Sequence, residues 1–221
     1  MKIITDKRII EKYSDQFPFQ QYFSFDISKD ITLARYETDE FIVQEGLALT
    51  HIFYMVEGVA KLYKTHKNGK VSLINYLESP CLLGEMEALG ILETPKGIQA
   101  QTTCLCFRLP FMPYRDQIRT DIRFLYEVCV FLGNKAISNM DVSTSNQVYP
   151  LKNRLAKFIL MTAHHNLYTE KHTEAAAYLG VSYRHLLYTI SALCMEWILE
   201  KTASGYLISN YKALQELCAS L

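Results

Sequence analysis

HTEAAAYLGVSYRHLLYTISAL, residues 172–193, is the stretch whose reading decides the fold. Two short helical runs flank Gly180, and a glycine there supplies the left-handed turn that Ala or Leu would resist. Thr173 is placed to cap the first helix and Ser182 the second, each hydroxyl satisfying an otherwise unpaired backbone N–H. At about 100° per residue, Leu186, Ile190 and Leu193 share one face and are expected in the core. Arg184 and Tyr188 point almost opposite, with Ser191 beside them, while Tyr183 and His185 flank the first turn. Two readings stay open on these residues alone. One is a packed helical hairpin whose outer side chains meet solvent. The other is a recognition helix whose first turns enter the major groove of DNA. On the second reading Arg184 suits bidentate pairing with guanine O6 and N7. Tyr188 and Ser182 suit phosphates or base edges, and Lys171, Lys201 and Lys212 suit phosphate neutralisation.

The flanks favour the DNA reading. LKNRLAKFILMTAHH (151–165) has helical periodicity through Leu151, Leu155, Phe158, Ile159 and Thr162. WILEKTASGYLISN (197–210) alternates apolar residues around Ser204-Gly205, as a small hairpin does. Helix, helix-turn-helix and hairpin, in that order, describe a winged helix. Upstream, from near Asp116, Ile122, Leu125, Cys129, Leu132, Ala136 and Asn139 follow steps of three and four, a coiled-coil-like seam. Phe124, Val128 and Phe131 form a neighbouring stripe. The expectation is a long helix with one stripe on its own domain and the other on a second copy; the competing reading buries both stripes within one subunit. STSNQVYP (143–150) is expected to break this helix and form a hinge.

Between Phe23 and about Pro113 the chain reads as short β-segments punctuated by Gly46, Gly58, Gly69 and Gly84. Asn68-Gly69 marks the clearest hairpin, and TTCLCFRLP (102–110) is a further strand closed by proline. Regularly spaced short strands point to a sandwich or barrel.

Composition narrows the function. The 221 residues are 49% hydrophobic and carry 23 Lys and Arg against 23 Asp and Glu, so the chain is globular but no wholesale nucleic-acid coat protein. A local basic surface remains compatible with specific DNA binding. The first residues lack the apolar core of a secretion signal, and no run approaches a membrane span; a cytoplasmic protein without membrane partners is expected. The six cysteines, Cys81, Cys104, Cys106, Cys129, Cys194 and Cys218, show no C-x-x-C spacing and read as reduced thiols. His51 and His66 are isolated and no H-x-H pair occurs, which disfavours a cupin-type metalloenzyme. No catalytic residue, cofactor or metal ligand is assigned. An interaction module using the barrel as a scaffold, without direct DNA readout, is the alternative function.

The order of barrel, long helix and winged helix, together with FIVQEG, IFYMVEGVAKLY, NGKVSLINYL, LLGEMEAL and LGVSYRHL, resembles the CRP/FNR family of transcription regulators. Within it, EKHTEAAAYLGVSYRHLLY and GYLI are most similar to the YeiL-like branch. The resemblance implies an α+β chain. Residues 1–113 would form a double-stranded β-helix (a cyclic-nucleotide-binding-like jelly roll), 114–147 a long dimerisation helix with a hinge, and 148–221 a winged helix-turn-helix. It implies a homodimer joined through Ile122, Leu125, Cys129, Leu132 and Ala136. It implies binding to two-fold symmetric double-stranded DNA through Thr173, Ser182, Tyr183, Arg184, His185 and Tyr188, and activation by contact with RNA polymerase.

The family's ligand site transfers only in part. Gly84 and Glu85 match the Gly-Glu pair that holds a cyclic nucleotide, but LETPKGIQA (92–100) lacks the arginine that follows it. Lys96 brings charge without the planar fork that fits a phosphate, and Ile137-Ser138 stands near the base-touching Thr-Ser. A small-molecule effector of unknown identity, other than cyclic AMP, is therefore expected at Gly84, Glu85 and Lys96. The family's reader residues fall here on Tyr183, Arg184 and Tyr188, so its target sequence does not transfer. No cysteine precedes Cys81, which disfavours an N-terminal iron–sulfur cluster.

Overall fold

A computed structural model describes residues 1–65 and 71–219. The Asn68-Gly69 turn and His66 lie outside the described residues. The chain divides into two compact units, Met1–Lys135 and Ala136–Leu221.

In the first unit, β1 (Lys2–Ile4) and α1 (Lys7–Gln16) precede a two-sheet sandwich. Its strands are β2 (Thr32–Tyr36), β3 (Phe41–Val43), β4 (His51–Glu57), β5 (Val59–Thr65), β6 (Val71–Glu78), β7 (Cys81–Leu83), β8 (Gly97–Ala100) and β9 (Cys104–Pro110), with the short α2 (Glu85–Ala88) between β7 and β8. One sheet has the order β1-β2-β9-β4-β7 and the other β3-β8-β5-β6, all pairs antiparallel. The expected jelly roll is present.

Strand alternation sorts the larger sheet into two cores. Ala34, Phe53, Met55, Cys104 and Cys106 face the second sheet, where they meet Val43, Ala60 and Ile98. Leu33, Ile52, Tyr54, Phe107 and Leu109 face the other way. They are covered by Phe19, Phe23 and Ile27 and by α3 (Arg115–Thr120) and α4 (Ile122–Val148), through Ile118, Phe124 and Val128. A sheet buried on both faces needs near-continuous apolar strands, as CLCFRLP and HIFYMVE provide.

The helical region differs from expectation at both ends. The helix expected to run from near Asp116 is broken at Asp121, which is extended between α3 and α4. Its buried carboxylate accepts from Ser24 N at 2.8 Å and Arg123 N at 3.1 Å, so it anchors the start of α4 as a cap does. At the other end α4 continues through Ser-Thr-Ser-Asn to Val148, and no break occurs at 143. Thr144 Oγ1 donates to Met140 O at 2.9 Å, the back-bonding that lets threonine remain within a helix. The chain leaves the helix only at Tyr149-Pro150, where Pro150 is extended before α5 (Leu151–Thr162).

The second unit continues with β10 (Leu167–Tyr168), α6 (His172–Tyr178), α7 (Tyr183–Met195), β11 (Leu199–Lys201), β12 (Tyr206–Ile208) and α8 (Tyr211–Cys218). Its sheet order is β10-β12-β11. Leu151, Leu155, Phe158, Ile159 and Thr162 are all buried, as the periodicity of α5 predicts. Arg154, also buried, donates to Tyr149 O at 3.0 Å, Leu179 O at 2.6 Å and Asn146 Oδ1 at 2.5 Å. It thereby ties the end of α4 to the helix-turn-helix.

Candidate functional site

Two regions carry the candidate residues. The first is α7. Ser182 precedes it in extended conformation and accepts from His185 N at 3.2 Å, the cap expected from the sequence. Gly180 has φ +64°, as the turn requires. Leu186, Ile190 and Leu193 are buried, whereas Tyr183, Arg184, His185 and Tyr188 are exposed, Tyr188 at 72%. The helix therefore presents a polar outer face over an apolar inner one.

Thr173 is not a cap. Helix α6 starts at His172, Lys171 occupies the cap position, and no side-chain cap bond forms. Glu174 N and Ala175 N both bond to Lys171 O, so the helix starts two residues too early for Thr173 to cap it. Thr173 is nevertheless exposed. Among the flanking lysines, Lys171 pairs with Glu174 at 3.6 Å and Lys212 with Glu216 at 4.0 Å, while Lys201 is exposed on the hairpin.

The structure adds His172 and Tyr206. The His172 ring lies 6.3 Å from that of Tyr183 and 5.7 Å from that of Tyr206. With Lys201 and Thr202 they line a polar concavity between the start of α7 and the hairpin. Burial and the Lys201 ammonium both push the His172 pKa down. Gly205 lets the hairpin approach this wall: a Cβ there would lie 2.3 Å from Tyr168 O. Nothing in the local sequence joins residues 172 and 206; the β12 pairing does.

The second region is the pocket of the jelly roll. Gly84, Glu85 and Lys96 come together around a cavity of about 160 Å³, with Leu62, Leu83 and Ile98 as apolar walls. Gly84 has φ +84°, and a Cβ there would meet Leu49 Cδ2 at 2.6 Å and His51 O at 2.9 Å. Glu85 is buried, and its Oε1 accepts from Lys135 Nζ at 2.6 Å. The same ammonium donates to Leu82 O at 2.6 Å. Lys135, on α4, is a pocket residue that sequence spacing does not single out. Burial raises the Glu87 pKa.

On α4 itself, Ile122, Cys129 and Ala136 are exposed, while Leu125 and Leu132 are half-buried. Leu132 packs with Phe131 against the outer core of the first unit. The second stripe, Phe124 and Val128, is fully covered there. Tyr126, Val130, Ile137 and Met140 extend the exposed apolar face. The thiols of Cys81, Cys104 and Cys106 are buried and free, and Cys129 is exposed. Among the described residues no cluster could hold a metal ion, and no helix is long and apolar enough to cross a membrane.

Comparison with known proteins agrees with this architecture. Residues 33–121 match the cyclic nucleotide-binding domain family. The chain is 43% identical over 203 residues to the regulatory protein YeiL of Escherichia coli O157:H7, spanning 92% of this chain and 93% of that protein. A regulator of the CRP/FNR family from Eubacterium rectale superposes with a TM-score of 0.69 at 14% identity, covering 87% of this chain and 92% of that one. A CRP-family transcriptional regulator from Thermus thermophilus gives a TM-score of 0.64 at 15% identity over 84% of this chain and 96% of its own. At these identities the structural likeness speaks for the fold.

Proposed function

Because the chain belongs to the CRP/FNR family of transcription regulators, we propose that it binds a two-fold symmetric operator as a homodimer in the cytoplasm, through α7. The observation that carries this reading is the division of α7. Ser182 fixes its start, Leu186, Ile190 and Leu193 hold it to the core, and Arg184 and Tyr188 are left free to face a groove. Arg184 is the base reader. Thr173, Ser182, Tyr183, His185 and Tyr188 supply phosphate or base-edge contacts, and Lys201 neutralises phosphate. The dimer forms along α4, around Ile122, Leu125, Cys129, Leu132 and Ala136. The regulator acts as an activator that contacts RNA polymerase.

The jelly roll is the effector domain, with Gly84, Glu85 and Lys96 as its pocket. Cyclic AMP is not the effector: no arginine lines this pocket among the described residues, and Glu85 is engaged by Lys135 rather than free for a ribose hydroxyl. Lys135 lies on the same helix that forms the dimer seam, so displacing its contacts in the pocket changes how α4 is held. That gives a ligand a route to bias the DNA-binding state. Selection of bound genomic fragments by the purified protein, with and without cell extract, tests the reading. It predicts recovery of a palindrome by wild type and its loss in Arg184→Ala.

A further inference from the structure

The sandwich holds a second charged wall that the effector reading above does not use. Along β9, Cys104 and Cys106 face the interior, and Arg108 follows them on the same side by strand alternation. Its guanidinium carbon lies 5.9 Å from the centre of the Phe53 ring. Its hydrogen-bonding neighbour among the described residues is His51, with Nη2 3.5 Å from Nε2. The other ring nitrogen of His51 is 2.8 Å from Thr50 Oγ1. Arg108 Nε is buried with no hydrogen-bond partner, and among the described residues Arg108 makes no ion pair.

The contrast with Arg154 is informative. Arg154 is the structural arginine of the second unit, and its Nε and Nη1 are bonded to three acceptors. A guanidinium held away from water is ordinarily paired in that way. Arg108 is half-buried, but its Nε is shut from water and bare, beside a pocket of about 260 Å³ whose lining contains no Asp or Glu. Glu40, whose charge is felt at Tyr36 in this wall, is engaged by the Met1 ammonium and by Glu37 N. The rest of the lining is mixed: Tyr36, Phe41, Val43, Leu49 and Phe53 supply apolar walls, and Met1, Gln44 and Thr50 bring polar groups to the rim. Burial and the neighbouring guanidinium both push the His51 pKa down, as expected where the local field is already positive.

We propose that this pocket binds a small organic monocarboxylate, its carboxylate on the free edge of Arg108 beside His51 and its short apolar tail against Phe53, Val43 and Leu49. A carboxylate matches the planar fork of the guanidinium, and the apolar walls favour a hydrocarbon tail over an inorganic oxyanion. The volume lies just below the roughly 300–1,000 Å³ of drug-sized sites, which suits a small molecule. Val43 and Leu49 also line the cavity at Gly84, Glu85 and Lys96, so a tail reaching past them meets the Glu85–Lys135 pair. The proposal deepens the effector reading of the jelly roll; its test reads ligand binding without DNA, so failure of the DNA reading leaves it standing.

The experiment is calorimetric titration of the full chain with hexanoate, hexanamide and inorganic phosphate. The proposal expects saturable binding of one hexanoate per chain, with hexanamide and phosphate each weaker by about tenfold or more. Arg108→Met is expected to lose hexanoate by a similar factor while keeping the wild-type melting transition. The hexanoate–hexanamide comparison on wild type stands even if that variant misfolds. Failure to saturate by about 10 mM hexanoate, equal binding of acid and amide, or loss in Lys96→Ala but not Arg108→Met would overturn it.

Discussion

Lys135 Nζ lies 2.6 Å from Glu85 Oε1, joining the long helix α4 to the first residue of α2. Glu85 is almost wholly buried and Lys135 about a quarter exposed, so the pair is held largely away from water.

Breaking such a pair from one side strands a buried charge and costs about 3–5 kcal/mol, whereas replacing both partners is far milder. Lys135→Met is therefore expected to destabilise the chain by about 3 kcal/mol, and the double variant Glu85→Gln/Lys135→Met by clearly less. Denaturant unfolding of the two singles and the double gives the coupling directly. Additive effects would show that the ammonium does not compensate Glu85.

The two hydroxyls flanking the helix-turn-helix differ in role. Ser182→Ala removes the side-chain cap of α7, in which the Ser182 hydroxyl accepts from His185 N, and should cost about 1 kcal/mol. Thr173→Ala removes no cap and should stay within about 0.5 kcal/mol of wild type. Thermal unfolding of both variants without DNA is the check.

Along α4, Ile137 and Met140 are exposed in a single chain, so charging them should leave the subunit folded. Ile137→Glu with Met140→Glu is expected to convert a dimer to monomers in sedimentation analysis and to weaken operator binding with it. A dimer of unchanged association constant would remove this face from the interface.

Thiol reactivity should follow burial. Desolvation pushes Cys81 up to about 11 and Cys104 up to about 12, and Cys106 well above the usual thiol value. The thiolate is the nucleophile, and a raised pKa depletes it below that pKa; at pH 8 about one Cys81 in a thousand is ionised. Maleimide at pH 8 should therefore modify Cys81, Cys104 and Cys106 only after unfolding. Early labelling of Cys104 or Cys106 would contradict the packing described.

Much of the fold is legible in the sequence because it rests on local periodicity. The apolar spacing in α5, the Gly180 turn, the Ser182 cap and the hairpin at Ser204-Gly205 are all read within a few residues. The errors also have physical causes. Thr173 reads as a cap, but capping is decided by which residue first turns helical, and Lys171 O takes that place. STSNQ reads as a break, yet Thr144 bonds back into its own helix. The strand β1 is too short to carry a pattern of its own and is fixed by pairing with β2. Gly84, Glu85 and Lys96 are placed through resemblance and do line one pocket. Lys135, His172 and Arg108 acquire their settings from partners far away in sequence, which no local pattern records.

Arg184 on α7 carries the DNA readout proposed for this chain. Fluorescence anisotropy on a selected operator and a scrambled duplex, at one fixed salt concentration, tests it with wild type and Arg184→Ala. The variant is expected to lose roughly 5- to 150-fold in operator affinity while its binding to scrambled DNA changes little, so discrimination collapses. Equal operator affinity and equal discrimination in the two proteins would contradict it.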